Sequence, residues 1–260
     1  MKKNFLLIFT LLFFLSQAYA DDMRFIQISD VKYSQNTNKV NMLNKMIADI
    51  NKQKNIEFVV FTGDNIERPN PSDLEKFVKE IKKLNCPFYI VLGDKELNKR
   101  KNMGKENYFN IIKKNCRKYK YLAPNYTFEK KGMIFIVADG AKEVLPSTSG
   151  YFKDTTIDWL DNELTINSDK NVFIFQHFPI IPPSKRESYY TFKAENYLKI
   201  LTKHNNVKAI ISGHFGVNKE QTINKITHIS TAPAPCYRVI DILDYETKNP
   251  TVWAQIRYVK

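Results

Sequence analysis

Glu57-Phe-Val-Val-Phe-Thr-Gly63-Asp64-Asn-Ile-Glu67 is an apolar run that stops at a glycine and a carboxylate. Phe58 to Phe61 offer no polar face, which is the signature of a strand covered on both sides rather than one side. Working outward, the same pattern recurs at Phe25–Ser29, Pro87–Gly93, Met133–Ala138, Val172–His177 and Val207–His214. Helical periods separate the runs. Val40, Leu43, Ile47 and Ile50 share one helix face, and Leu74, Phe77, Val78, Ile81 and Leu84 share another. Ser72-Asp-Leu-Glu75 reads as a capping box for the second of these. Ile157, Leu160 and Leu164 mark a third helix, and Tyr197, Leu198 and Leu201 a fourth. The tail changes character, with strands expected at Ile226–Ser230, Tyr237–Ile242 and Thr251–Tyr258 and no helix between them. Alternating strands and helices followed by a β-rich tail predict a mixed, layered α/β fold.

In such folds ligands gather beyond the carboxyl ends of the strands. There the sequence places Asp30, Asp64, Asp94, His177 and His214, each directly after an apolar run. A single strand-terminal Asp is normally a turn or helix cap. Five such positions that include two His favour a borderline metal held by O and N donors.

The order Asp-x-x, Gly-Asp, Gly-Asx-x-Glu, His-x-Pro, Gly-His resembles the calcineurin-like metallophosphoesterases, from Asp30 to about Ile242. Trp159-Leu-Asp-Asn-Glu-Leu164 is similar to a helix many members carry. The resemblance implies a four-layer αββα sandwich of two mixed β-sheets flanked by helices, and two metals bridged by a carboxylate and a hydroxide. Three positions depart from it. Lys32 stands where the first motif has His, Gly93-Asp94-Lys95 where the third has Gly-Asn-His, and Gly216 where the fifth ends in His. One metal site would keep Asp64, Asp94, His177 and His214 as ligands. The other would have Asp30 and Asp64 but Lys32 and Gly216 beside them, so a second metal is doubtful. Glu67 is read as a loop residue, not a replacement ligand. The expected cofactor is therefore one divalent or trivalent transition metal, Mn, Fe or Zn. Asp30 and Lys95 are the expected catalytic residues, Asp30 orienting water or pairing with Lys32 and Lys95 gripping phosphate.

Residues 1–20 combine Lys2 and Lys3, an apolar run from Phe5 to Leu15, and small residues at Ala18 and Ala20. This is the pattern of a signal peptide cleaved before Asp21, so residues 21–260 form one expected domain, exported to a periplasm or secreted. No later run is long enough to span a membrane. The remaining chain carries 38 basic against 27 acidic residues, but with 33 Lys and only 7 Arg in the full sequence the excess reads as a compositional bias. Lys99, Arg100, Lys101 and Lys105 are read as a solvated loop, and Tyr189 and Tyr190 as surface. His204 is expected at a helix end and His228 in strand packing. Cys86, Cys116 and Cys236 are too few for a disulfide framework and permit one disulfide at most. No glycine-rich phosphate loop or nucleic-acid motif is present. The expected partner is a phosphate-containing small molecule or phosphoester, and the protein is expected to be monomeric. Three functions are open: weak or narrow one-metal phosphoester hydrolysis, a non-catalytic binding protein on the same scaffold, or a fully active two-metal phosphatase if Glu67 or another residue completes the second site.

Overall fold

The computed structural model describes residues 22–259, so the expected signal peptide at residues 1–20 lies outside the described residues. In chain order the elements are β1 (Met23–Ile28), α1 (Thr37–Asn51), β2 (Ile56–Thr62), α2 (Pro71–Ile81), β3 (Phe88–Val91), α3 (Lys105–Asn115), β4 (Tyr126–Lys130), β5 (Met133–Val137), α4 (Asp154–Ile166), β6 (Val172–Phe175), α5 (Ala194–Lys203), β7 (Val207–Ser212), β8 (Lys219–Ile223), β9 (Ile226–Ser230), β10 (Cys236–Leu243) and β11 (Thr251–Tyr258). They form a five-stranded sheet, β11-β10-β1-β2-β3, and a six-stranded sheet, β4-β5-β6-β7-β9-β8. Both are mixed. β1, β2 and β3 run parallel with β10 antiparallel to β1, while β5, β6, β7 and β9 run parallel with β4 and β8 antiparallel at the edges.

The period of two along each strand sorts side chains into separate layers. Phe25, Phe58, Val60, Phe135, Phe173, Phe175 and Ile211 point between the sheets into one cluster. Their neighbours Ile26, Val59, Phe61, Ile136, Ile174 and Ile210 belong to the outer cluster with residues of all five helices. Fully apolar strands are therefore required here, because each face meets a different core. The inner layer is largely aromatic: Phe25 stacks on Phe58 at 4.8 Å, and Phe58 meets Phe135 edge-on at 5.2 Å. The four-layer αββα sandwich implied by the resemblance is the architecture observed.

Three elements had no forecast in the sequence. Helix α3 buries only Tyr108, Phe109 and Ile112 in a Lys- and Asn-rich segment, too few for a clear period. Strand β8 is almost wholly exposed and exists because the hairpin turn Asn224-Lys225 returns it along β9, both turn residues having positive φ (51° and 66°). β4 pairs antiparallel with β5 and contributes Tyr126 and Phe128 to the inner core. Helix α2 also starts differently from expectation. Its cap is Asn70, whose side chain accepts from the N–H groups of Ser72 and Asp73 at 2.9 and 3.2 Å. Pro71 takes the first helical position, where its missing N–H is harmless, and this displaces the start upstream of Ser72. The three cysteines are free thiols.

Candidate metal centre

The site is built where β1, β2 and β3 of one sheet and β6 and β7 of the other end together. Below it, Gln27 of β1 bolts the sheets: its amide donates to Ser212 O (2.8 Å) and Thr62 Oγ1 (2.9 Å) and accepts from Thr231 Oγ1 (2.6 Å). Above the bolt the chain turns sharply. Asp30, Lys32, Asp64 and His214 all adopt left-handed backbone, with φ of 51°, 47°, 52° and 70°. For non-glycine residues this conformation is strained and persists only when neighbours hold it. Here the first two loops are laced together, with Asp30 N donating to Gly63 O (3.0 Å), Lys32 N to Asp64 O (2.8 Å) and Tyr33 N to Asn65 O (2.9 Å). Gly213 is required by close approach, since a Cβ there would lie 1.7 Å from Ser29 Oγ.

Of the predicted set Asp64, Asp94, His177 and His214, the last three bring donor atoms together as one group, while Asp64 groups with Asp30 and His177. His177 Nε2 lies 3.4 Å from Asp64 Oδ1 and 3.3 Å from Asp94 Oδ1. His214 Nδ1 lies 3.2 Å from Asp94 Oδ1 and 3.2 Å from His177 Nε2. The His177 tautomer follows from its other nitrogen: Nδ1 is 2.8 Å from the carbonyl of Thr62, which can only accept, so Nδ1–H donates there. In the neutral ring Nε2 is then a bare lone pair facing two carboxylates and a second imidazole nitrogen. A tetrahedral ion with bonds of about 2.0–2.1 Å would set its donors about 3.3–3.4 Å apart, which is the spacing of these contacts. The grouped donors, one carboxylate oxygen of Asp94 and the imidazole nitrogens of His177 and His214, with Asp64 Oδ1 beside His177, are of the types that suit Zn, Mn or Fe.

Without an ion, protons take up the mismatch. Burial works against a charged His177, but the carboxylates of Asp64, Asp94 and Asp30 outweigh it and raise its pKa to about 10. Burial likewise opposes charge on Asp94, yet hydrogen bonds from His177, His214 and Lys95 hold it well below the usual carboxylate range. Burial pushes Asp64 well above its ordinary value, only partly countered by His177. An entering ion must displace the proton of His177.

Asp30 and Lys32 occupy the other half of the site. Asp30 Oδ2 accepts from Ser29 Oγ (2.6 Å) and from the backbone N–H of His214 (3.0 Å). Its Oδ1 is buried without a hydrogen bond and faces Lys32 Nζ at 3.3 Å, which also lies 3.9 Å from Asp64 Oδ2. Burial lowers the Lys32 pKa, but Asp30 and Asp64 raise it by more, so the ammonium stays charged. Asp30, Asp64 and His177 also lie close enough to form a second donor group, and Lys32 is at its edge. Glu67 is exposed and away from this group, as expected. Lys95 is found on a ligand, its Nζ 2.9 Å from Asp94 Oδ2, while its N–H donates to Asp64 Oδ1 at 3.0 Å.

Two participants were not predicted. Glu96 is fully buried and accepts from Gly93 N (2.8 Å) and Asn65 N, tying the third loop to the second; burial lifts its pKa to about 7. The Gly-Asp-x-Glu spacing was its signal. Tyr189, read from sequence as a surface loop residue with the cleft edge as the alternative, packs its ring 4.6 Å from the His214 ring. The contact depends on a long loop after β6. By contrast Lys105, read as a solvated loop residue, is paired with buried Asp139.

The family model of the calcineurin-like phosphoesterases matches residues 23–218, and the chain belongs to this metal-dependent family. It is 25% identical over 187 residues to a Coxiella burnetii protein described as a probable cyclic nucleotide phosphodiesterase, covering 70% of this chain and 69% of that one. It is 24% identical over 190 residues to an Arcobacter nitrofigilis protein described as a probable glycerophosphodiester phosphodiesterase, covering 70% and 64%. Among solved structures, a dimetal phosphatase from Danio rerio matches with a TM-score of 0.69 at 16% identity, over 92% of this chain and 99% of that one. Likeness at that identity speaks to fold alone.

Proposed function

We propose that the protein is a one-metal phosphoesterase acting on phosphodiesters, in which Lys32 replaces the second ion. The observation that carries this reading is the Lys32 ammonium seated between Asp30 and Asp64. A cation shared by those carboxylates would bind within about 2.0–2.2 Å of each and would meet the ammonium as a like charge. Asp64, Asp94, His177 and His214 would hold the single metal, which supplies Lewis-acid polarisation of a phosphoryl oxygen. Asp30 Oδ1 would take a proton from the attacking water. As the water oxygen bonds to phosphorus the ester P–O bond breaks, the departing oxygen takes a proton from solvent, and Asp30 releases its own to solvent. Lys95 contributes charge rather than a proton: burial lowers its pKa, but Asp94 raises it further, so it remains an ammonium beside the phosphate. The phosphodiester class is supported by the descriptions of the two curated relatives. Export through residues 1–20 and action as a monomer belong to the same reading.

A non-catalytic role has one observation in its favour: Lys32 and Lys95 already pair with Asp30, Asp64 and Asp94 without any ion. Metal content decides between the two. The purified chain should retain about one Mn, Fe or Zn per molecule, and His214→Ala should lose the ion together with phosphodiester hydrolysis. No tightly held ion would sink the enzymatic reading, and two would restore an ordinary dimetal centre.

A further inference from the structure

The segment after β6 forms a strap across the mouth of the metal centre. It is tied down at several points: Thr148 Oγ1 donates to Ser188 O (2.9 Å), Ser149 Oγ to Tyr190 O (2.7 Å) and Phe192 N to Gly150 O (2.8 Å). The strap presents Tyr189 to the His214 ring at 4.6 Å and carries Arg186 outside it, the guanidinium carbon 5.6 Å from the Tyr189 ring centroid. Arg186 Nη1 donates to Phe215 O at 3.3 Å. The guanidinium is thus fixed by a ring and a carbonyl, and most of its five N–H donors remain free. Arg186 is exposed, and among the described residues no carboxylate lies within ion-pair distance of it.

Charge balance shows why that matters. The inner site has four carboxylates, Asp30, Asp64, Asp94 and Glu96, and its two ammonium groups, Lys32 and Lys95, are both committed to carboxylates. A divalent ion would bring this set close to neutral and serve one phosphoryl group. Arg186 is additional and lies farther out, two ring contacts from the ligand His214. A fixed, unpaired guanidinium is suited to forked recognition of a second phosphate or carboxylate, and its preorganisation lowers the entropy lost on binding.

We propose that Arg186 is a specificity-determining residue that recognises a second phosphate on the substrate, several bonds from the scissile phosphorus, so that the preferred ligands are bisphosphorylated. Tyr189 positions the guanidinium by carrying it against the His214 side of the cleft. The inference rests on the metal-centre reading above and deepens it by naming the substrate class.

The test compares the dinucleotides pApA and ApA, which share one phosphodiester and differ by a terminal phosphate, pApA being the bisphosphate, by calorimetry in the cold on metal-loaded protein. Wild type should bind the bisphosphate roughly tenfold tighter, the effect of one charge-assisted forked contact. Arg186→Gln, with its metal content measured, should close that gap, while Arg186→Lys should keep part of it. Equal affinities in wild type, or a preference that survives Arg186→Gln, would overturn the inference alone. A chain that takes up no metal would overturn the metal-centre reading and this inference with it.

Discussion

On the one-metal reading proposed above, Lys32 and Gly216 are the two positions that separate this site from a dimetal one. A Cβ at Gly216 would meet only Pro233, at 3.9–4.0 Å, so there is room for a ligand, but with φ of 70° any side chain there adds backbone strain. The double substitution Lys32→His and Gly216→His should therefore raise the metal content from about one ion to two and increase phosphodiester hydrolysis. Elemental analysis checks it; a double variant that still holds one ion would show that more than these two positions was lost. At this scale much was legible. Asp64, Asp94, His177 and His214 each follow an apolar strand, so sequence position alone put them at the carboxyl ends of strands, two in each sheet. Tyr189 and Arg186 were not legible, because a strap is placed by hydrogen bonds to the distant residues 148–150 and not by its own periodicity.

Elements were legible wherever both faces of a strand are buried or a helix has a broad apolar face. Strand β8 shows the limit. Its residues are polar and exposed, and only a two-residue turn with left-handed backbone betrays it. Helix α2 shows another, since two adjacent candidates for its cap look alike in sequence and the proline between them decides. Asn70 accepts two N–H groups that would otherwise lack partners at that helix end. Asn70→Ala should therefore destabilise the fold by about 1 kcal/mol, read from the midpoint of urea unfolding, while Ser72→Ala should have a much smaller effect. Equal losses for the two variants would return the cap to Ser72.

For the molecule as a whole, the split of each strand into an inner and an outer set made four layers readable once the family order was seen. What could not be read was how far the closed sandwich shifts the pKa of its buried polar groups. His228 of β9 lies in strand packing, as expected. It shares a small hollow with Lys219, Gln221, Ser212 and Ser230, and burial lowers its pKa to about 4. In the unfolded chain it protonates near its ordinary value of 6.5, so between about pH 6.5 and 4 the unfolded state binds the extra proton. Stability should fall as pH falls through that window, by up to about 3 kcal/mol, and this contribution should level off below it. Denaturant unfolding at pH 7 and pH 4 should show a smaller loss for His228→Gln than for wild type. An unchanged loss would mean that His228 is not the group responsible.

The left-handed turns at Asp30, Lys32, Asp64 and His214 bear on how such a centre changes over time. Their backbone is held by bonds between loops, Lys32 N to Asp64 O among them, and these do not depend on the side chain at position 32. The mould that shapes the site is thus separable from its contents. An ammonium at position 32 can be exchanged for an imidazole without recasting the mould. The centre is a socket whose wiring outlasts any particular plug.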